Sequence, residues 1–186
     1  MIKSARRILV CLSFLSCTLN NQAHKRKSAQ AFLSKIENIN NSINPAGDTF
    51  EQYFRAVAPI ASANKNYQLN ENKIDSLSMY YTTCIKTFNN AIDSLNKLHE
   101  FDSSFKICRL NIAVLNMLKH AWASTIPTFL TVFKIGWKNA NDSEKNIILS
   151  SPEVLRKKNT LIDPDQNELI SELSQFKDKY QLPRDH

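Results

Sequence analysis

The sequence predicts an all-α protein in which four helices form an up-down-up-down bundle that carries a C-terminal helical appendage. The 186 residues include only two glycines, whereas β-rich folds use glycine freely at tight turns. Apolar residues also recur at alternating spacings of three and four along most of the chain, which is the pattern of one face of a helix. The length suits one domain with a substantial core.

Residues 1–16 are predicted to be an export signal. Three positive charges precede an apolar run over 8–15, and Ser16 and Cys17 follow. This charged, apolar, small-residue order is typical of a leader that is removed after export. The apolar run is far shorter than the roughly 20 residues that span a bilayer, so an uncleaved anchor is not expected.

The segment Phe14-Leu15-Ser16-Cys17 resembles a bacterial lipobox, with Phe14 where an aliphatic residue is commoner. The resemblance implies that Cys17 becomes the first mature residue and carries a diacylglycerol, and two or more acyl chains anchor a protein stably. By resemblance to outer-membrane sorting signals, Thr18, which is not Asp, permits passage to the outer membrane of a two-membrane bacterium. A plain secretory signal and a cytoplasmic protein are the alternatives.

Residues 17–28 are predicted to be a lipidated tether, followed by one helical domain over 29–186. The tether contains the consecutive cations Lys25, Arg26 and Lys27. These cations are either simply solvated or lie against anionic headgroups, where each charge is worth about 1 kcal/mol. Both interpretations remain open from the sequence.

The formal charge of +7 does not indicate a nucleic-acid-binding protein. Lys3, Arg6 and Arg7 would leave with the signal, which lowers the charge by three. A nucleic-acid surface would also need a basic stripe with interleaved aromatic residues, and no predicted helix face has one.

The first predicted helix has an apolar seam, formed by Ala29, Phe32, Ile36, Ile39 and Ile43. Residues 44–47 are predicted to form a turn, and Asp48 with Glu51 to form the capping box that starts helix two. Pro59 lies inside helix two and is expected to kink it.

The third predicted helix has the most regular seam, formed by Ile74, Leu77, Tyr81, Cys84, Phe88, Ala91, Leu95 and Leu98. Residues 99–104 interrupt the pattern, and Asp102 or Ser103 is expected to cap helix four. Pro127 is expected to kink helix four or to restart it. The connections between these four helices are short, which predicts that sequence neighbours run antiparallel.

The C-terminal appendage is predicted to consist of short helices. They would start near Asn141, where Glu144 completes a capping pattern, near Ser151 and near Asp163. Asp163 also imitates the start of a calcium loop, but Glu168 and Ser174 stand where that loop needs glycine and glutamate. A helix N-cap is therefore the better interpretation of Asp163.

No sequence motif indicates catalysis or a bound cofactor. The chain has no Glu-x-x-His pair, no His-Glu-x-x-His, no Cys-x-x-Cys and no glycine-rich phosphate loop, so we expect neither a metal, nor a cofactor, nor an enzyme. Register counting separates Cys84 from Cys108 by roughly 15 Å along the helix axes. Because a disulfide needs Cα atoms within about 7 Å, the two cysteines are predicted to be buried free thiols.

Register counting also indicates one place for a small-molecule pocket. It places Pro59, Tyr80, Tyr81, His120 and Trp122 at one level of the bundle, where the proline kink would free backbone groups and open a gap. The alternative is that the aromatic residues belong to the core and that His120 lies at the surface or is hydrogen-bonded.

The whole pattern resembles small uncharacterised helical surface lipoproteins of low-GC Gram-negative bacteria. The resemblance rests on the lipobox-like segment and on residues 91–133, and it implies no activity and no site beyond Cys17. The leading hypothesis is a non-enzymatic interaction or structural module on the periplasmic or outer surface. The alternative is a carrier that binds an apolar ligand between kinked helices. A protein partner would meet the Phe101 region at the membrane-distal end, unless Phe101 caps the core.

Overall fold

The computed structural model describes the backbone of residues 2–63 and 68–183, and the side chains of 22–56, 68–149 and 164–183. All regular structure in these ranges is helical, which confirms the predicted all-α class. The elements are α1 (Ile2–Asn41), α2 (Asn44–Ala63), α3 (Glu71–Asn96), α4 (Ile107–Ile135), a 3-10 turn (Trp137–Asn139) and α5 (Asp142–Lys179).

Helices α1 and α2 run in the same direction, so the predicted antiparallel pairing of the first two helices is wrong. Phe32 of α1 packs beside Phe101, with ring centroids 5.9 Å apart. Asn40, two turns later, donates a hydrogen bond of 2.8 Å to Asn111 in the second turn of α4. Phe50 of α2 then lies 5.3 Å from the ring of Trp122. The contacted residues therefore advance from the α3–α4 loop into α4 as the chain passes from α1 into α2.

The residues predicted to form the turn instead form the start of α2. Only Ser42 and Ile43 interrupt the helical pattern, and their amides bond to carbonyls three or four residues back. Pro45 fits the first turn of α2 because an amide there would lack an intrahelical partner anyway. Asp48 lies inside α2 and does not begin it.

Helices α3, α4 and α5 alternate in direction. Lys119 of α4 donates to Asn89 of α3 at 3.1 Å, and the rings of Phe88 and Trp122 lie 6.2 Å apart. At the other end of α4, Phe105 lies 5.2 Å from Phe176 of α5. Both pairs have the geometry of antiparallel neighbours.

The C-terminal segment is a single helix that contributes to the core, and the prediction of an appendage made of short helices is wrong. The Asn141–Glu144 capping box is present, with both hydrogen bonds at 2.9 Å, but the helix continues to Lys179. Phe176 is 0% exposed. Ser151 and Asp163, predicted to start separate helices, therefore lie within one continuous helix, whose C-terminal part packs into the core around Phe176.

The buried side chains form two clusters, which we name the Phe176 cluster and the Phe50 cluster. The Phe176 cluster joins α1, α3, α4 and α5 and comprises Ala29, Phe32, Leu33, Ile36, Ile43, Cys84, Phe88, Ala91, Ile92, Leu95, Phe105, Ile107, Cys108, Leu115, Phe176 and Leu182. The Phe50 cluster joins α2, α3 and α4 and comprises Phe50, Leu69, Ile74, Leu77, Leu130 and Phe133.

The two proline positions lie within continuous helices. The backbone of Pro59 belongs to α2, while its side chain lies outside the described residues. Pro127 lies inside α4, and the predicted restart of the helix there is wrong. The Thr131 hydroxyl donates to the Pro127 carbonyl at 3.0 Å.

Candidate functional site

The aromatic residues predicted to border a pocket are packed against one another. Phe50 lies 6.2 Å from Tyr81 and 5.3 Å from Trp122, and Tyr53 stacks on Tyr80 at 4.6 Å between centroids. Such separations are those of aromatic rings in contact. Burial raises the pKa of Tyr81 above its ordinary value. In the described part of this level Phe50 is therefore buried among aromatic rings, whereas the Tyr53–Tyr80 stack lies at the surface, where Tyr53 is exposed.

The other two residues of that predicted pocket are His120 and Pro59. His120 is exposed. The side chain of Pro59 lies outside the described residues, and its position in α2 is nine residues, about 13 Å, beyond Phe50. Phe50 packs against Tyr81, and Tyr53 packs against Tyr80. The register predicted for α2 and α3 was therefore wrong by two to three turns.

An open groove of about 1360 Å³ lies at the opposite end of the molecule. One wall is the exposed face of α1, and the other is formed by the α3–α4 loop and the end of α5. The groove is lined by Gln22, Ala23, Lys25, Arg26, Lys27, Gln30, Ala31, Ser34, Phe101, Asp102, Ser103, Lys179, Tyr180, Gln181, Leu182 and Pro183. We name this end of the molecule the Asp102 end.

Asp102 joins the α3–α4 loop to the end of α5. Its Oδ2 accepts hydrogen bonds from Lys179 Nζ at 2.6 Å and from the Tyr180 hydroxyl at 2.7 Å. Its Oδ1 accepts from the amide and hydroxyl of Ser104 at 3.0 and 2.7 Å. These donors, with Lys179 the strongest, hold the pKa of Asp102 well below its ordinary value. Burial and the hydrogen bond to Asp102 raise the pKa of Tyr180 to about 12.

The end of α5 turns sharply and returns the chain to the core. The Gln181 amide bonds to the Asp178 carbonyl at 3.2 Å, and the Leu182 amide to the Lys177 carbonyl at 2.8 Å. This pair of bonds is a Schellman motif, and Gln181 has the positive φ of 54° that the motif requires. Leu182 is thereby buried in the Phe176 cluster.

Glu100 caps α4, so the prediction that Asp102 or Ser103 has this role is wrong. Helix α4 begins after Lys106, which makes no side-chain cap. Glu100 Oε1 instead accepts from the amides of Cys108 and Arg109 at 2.7 and 3.3 Å. A carboxylate at this position satisfies unpaired amides and interacts favourably with the helix dipole.

The prediction of two buried free thiols is confirmed. Cys84 and Cys108 are both buried and are not joined by a disulfide. Burial raises the pKa of Cys84 to about 11. Burial, and to a smaller extent the negative charge of Glu100, raises the pKa of Cys108 to about 12. Both side chains are therefore protonated packing residues at neutral pH.

Phe101 is half-buried and packs on core residues, which agrees with the predicted alternative that it caps the core and is not a freely exposed contact. Its ring lies 5.9 Å from both Phe32 and Phe176 and 5.3 Å from Tyr180. Because Phe32 belongs to α1, Phe101 lies at the end of the molecule where residues 22–34 run. The prediction that Phe101 is remote from the tether is wrong because α1 and α2 do not fold back on each other.

Neither a metal cluster nor a bilayer-crossing helix is found in the described part of the chain. In these ranges no three His, Cys, Asp or Glu side chains are grouped so that they could hold a metal ion. No helix there combines the length and the apolar character that crossing a bilayer requires. The side chain of Cys17 lies outside the described residues, and its backbone belongs to α1.

Two groups of residues at the Asp102 end could not be brought together from the sequence. Lys25, Arg26 and Lys27 are conspicuous as a run, but Asp102 and Lys179 are 77 positions apart. Comparisons with protein-family models, with curated proteins and with solved structures found no match to this chain.

Proposed function

We propose that this protein is a non-enzymatic interaction or structural module, exported and held on a membrane by lipid attached to Cys17. The observation that carries the proposal is the order of the N-terminal residues: three cations, an apolar run over 8–15, then Ser16 and Cys17. In the described residues burial begins at Ala29, so the helical core starts twelve residues after Cys17. This spacing supports a leader over 1–16 and a linking segment over 17–28.

The roles of the titratable groups support a module without enzymatic activity. The described residues with strongly shifted pKa values are Asp102, Tyr180, Cys84 and Cys108. Asp102 and Tyr180 bind each other across two elements of the fold, and both cysteines are buried in the core. Each group therefore has a structural reason for its shift.

The proposed body of the module is a bundle of four rods. Helices α1 and α2 together form the first rod, and α3, α4 and α5 form the other three with alternating direction. With lipid on Cys17, the Asp102 end faces the membrane and the Phe50 cluster lies farther from it. The proposed location is the periplasmic or outer surface, and Thr18 favours the outer membrane.

Incorporation of radiolabelled palmitate tests the lipid attachment. The native chain and the Cys17→Ala variant are expressed in a two-membrane bacterium that processes lipoproteins. We expect label on the native chain and none on Cys17→Ala. Cys11→Ala is the matched control, because Cys11 lies in the apolar run of the leader, and it should be labelled like the native chain. Label on Cys17→Ala, or none on the native chain, would refute the attachment.

Native mass spectrometry of the membrane-extracted protein distinguishes the interaction module from the carrier. A co-purifying protein supports the module, whereas a co-purifying apolar small molecule supports the carrier. The packed contacts of Tyr80, Tyr81 and Trp122 give the carrier no support from the described residues.

A further inference from the structure

The groove at the Asp102 end has an excess of positive charge on its α1 wall. Lys25, Arg26 and Lys27 all line it and are all exposed. None of the ion pairs within the described residues involves any of these three side chains. Their charge is therefore available to a ligand that enters the groove.

The acidic residue on the opposite wall does not cancel this charge. Both oxygens of Asp102 are occupied, and Lys179 supplies a matching positive charge at 2.6 Å. The Tyr180 hydroxyl and the Ser104 amide donate two further hydrogen bonds to the same carboxylate. The groove as a whole therefore carries a net charge close to that of the three cations on α1.

We propose that this groove docks anionic phospholipid headgroups of the membrane that carries the protein. The proposal rests on the lipid attachment at Cys17 put forward above. Lys25 lies eight residues after Cys17, about 12 Å along a helix. That distance is comparable to the screening length of about 8–10 Å at physiological salt, so the three cations would feel the field of an anionic surface.

The docking orients the whole module. Lipid on Cys17 alone would allow the bundle to tilt and turn about its anchored end, to which α1 runs as a continuous helix. Headgroups in the groove instead hold the α3–α4 loop and the end of α5 against the membrane. Polar groups next to the cations, Gln30 and Gln181, can donate hydrogen bonds to phosphate oxygens. The occupant is therefore a phosphate-bearing lipid surface.

Vesicle binding of the full chain carrying Cys17→Ser tests the docking. This chain cannot be acylated, so the result does not depend on whether the native Cys17 carries lipid. Vesicles contain either phosphatidylcholine alone or phosphatidylcholine with phosphatidylglycerol, and bound protein is measured by co-sedimentation. The groove variant adds Lys25→Gln, Arg26→Gln and Lys27→Gln. The matched control adds Lys73→Gln, Lys86→Gln and Lys138→Gln, which are exposed residues of α3 and of the 3-10 turn that do not line the groove.

We expect the groove variant to bind phosphatidylglycerol vesicles about 100-fold more weakly, since each cation near an anionic surface contributes about fivefold. The control variant loses the same formal charge but should lose less than about fivefold. On phosphatidylcholine alone the three proteins should bind equally. Added salt should reduce the difference between them, because it screens exposed charges.

Three results would overturn the proposal. Equal losses in the groove and control variants would mean that net charge alone governs binding. An unchanged affinity of the groove variant would mean that the groove does not touch lipid. Displacement from vesicles by glycerol 3-phosphate at constant ionic strength would assign the groove to a small soluble anion. Failure of palmitate labelling alone would refute the anchor and leave this measurement unaffected.

Discussion

The two ends of the molecule are stabilised by different kinds of interaction. At the Phe50 end, aromatic rings from α2, α3 and α4 pack together, and Phe54 lies 5.4 Å from Phe129. At the Asp102 end, similar aromatic packing around Phe176 is supplemented by a carboxylate that binds Lys179, Tyr180 and Ser104. Apolar burial depends little on pH, whereas a carboxylate of lowered pKa contributes stability only while it is ionised. The Asp102 end should therefore be the pH-sensitive part of the fold.

The largest expected effects come from removing a central ring at either end. Phe50→Ala and Phe176→Ala should each lower the free energy of unfolding by about 3–5 kcal/mol, because both rings are buried and leave a cavity. Urea unfolding at pH 7 measures both losses. A loss below about 1 kcal/mol at either position would mean that the ring is not central to its cluster.

Asp102→Asn should have the next largest effect, about 1–3 kcal/mol at pH 7, because it removes charge-assisted hydrogen bonds from a partly exposed site. The folded pKa lies well below the ordinary value, so this stability is fully present above a pH of about 4 and declines progressively as the pH falls from there toward the folded pKa. The advantage of the native chain over Asp102→Asn in the free energy of unfolding should thus be smaller at pH 3 than at pH 7, as measured by urea unfolding. An advantage that is as large at pH 3 as at pH 7 would contradict the assignment.

A double-mutant cycle tests whether the two ends are separate. Phe176 lies 4.8 Å from the ring of Tyr180, which binds Asp102, so Phe176→Ala and Asp102→Asn should be coupled by at least about 0.5 kcal/mol. Phe50→Ala serves as the control and should combine additively with Asp102→Asn. Equal coupling to both phenylalanines would mean that the ends form one unit.

Glu100→Ala should lower the free energy of unfolding by about 1–2 kcal/mol, because two amides at the start of α4 lose their hydrogen-bond acceptor. Glu100→Gln keeps an acceptor oxygen and should cost less. Urea unfolding at pH 7 compares them. If Glu100→Ala and Glu100→Gln lower the free energy of unfolding equally, the Glu100 side chain does not cap α4.

The smallest expected effect is a gain. Gln181→Gly should raise the free energy of unfolding by about 0.5 kcal/mol, because Gln181 has a positive φ that glycine adopts without strain. Gln175→Gly, in the interior of α5, is the matched control and should lower stability by about 1 kcal/mol. Destabilisation by Gln181→Gly would mean that the Schellman turn does not form as described.

The sequence was a good guide to which residues are buried. The apolar positions predicted for helices one and three, such as Ala29, Phe32, Cys84 and Leu95, are in the core. Spacings of three and four place residues on one face of a helix, and a compact fold must cover that face. This part of the prediction follows from local geometry alone.

The direction of the chain could not be inferred in the same way. The residues around Pro45 are typical both of a turn and of the first turn of a helix, so they do not distinguish a reversal from a short break. The capping box at Asn141 correctly marked the start of α5. Nothing local, however, indicated that Phe176 would reach Phe105 across the molecule.

Only one wall of the candidate groove could be predicted from the sequence. The three adjacent cations on α1 stand out, and electrostatics favours an anionic surface as their partner. The opposite wall depends on the Asp102–Lys179 pair and on the turn at Gln181, which are tertiary features. Their position became predictable only once α5 was known to run back along α4.

The proposed orientation of the module on a membrane depends on the course of α1 and can be measured directly. A fluorescent donor on Ser103→Cys reports the Asp102 end, and one on Ser143→Cys reports the start of α5 at the opposite end; both serines are exposed. Energy transfer to acceptor lipids is compared for the lipidated protein in vesicles. Since the 29 residues of α4 span roughly 43 Å, we expect much stronger transfer from position 103 than from position 143. Stronger transfer from position 143 would contradict it.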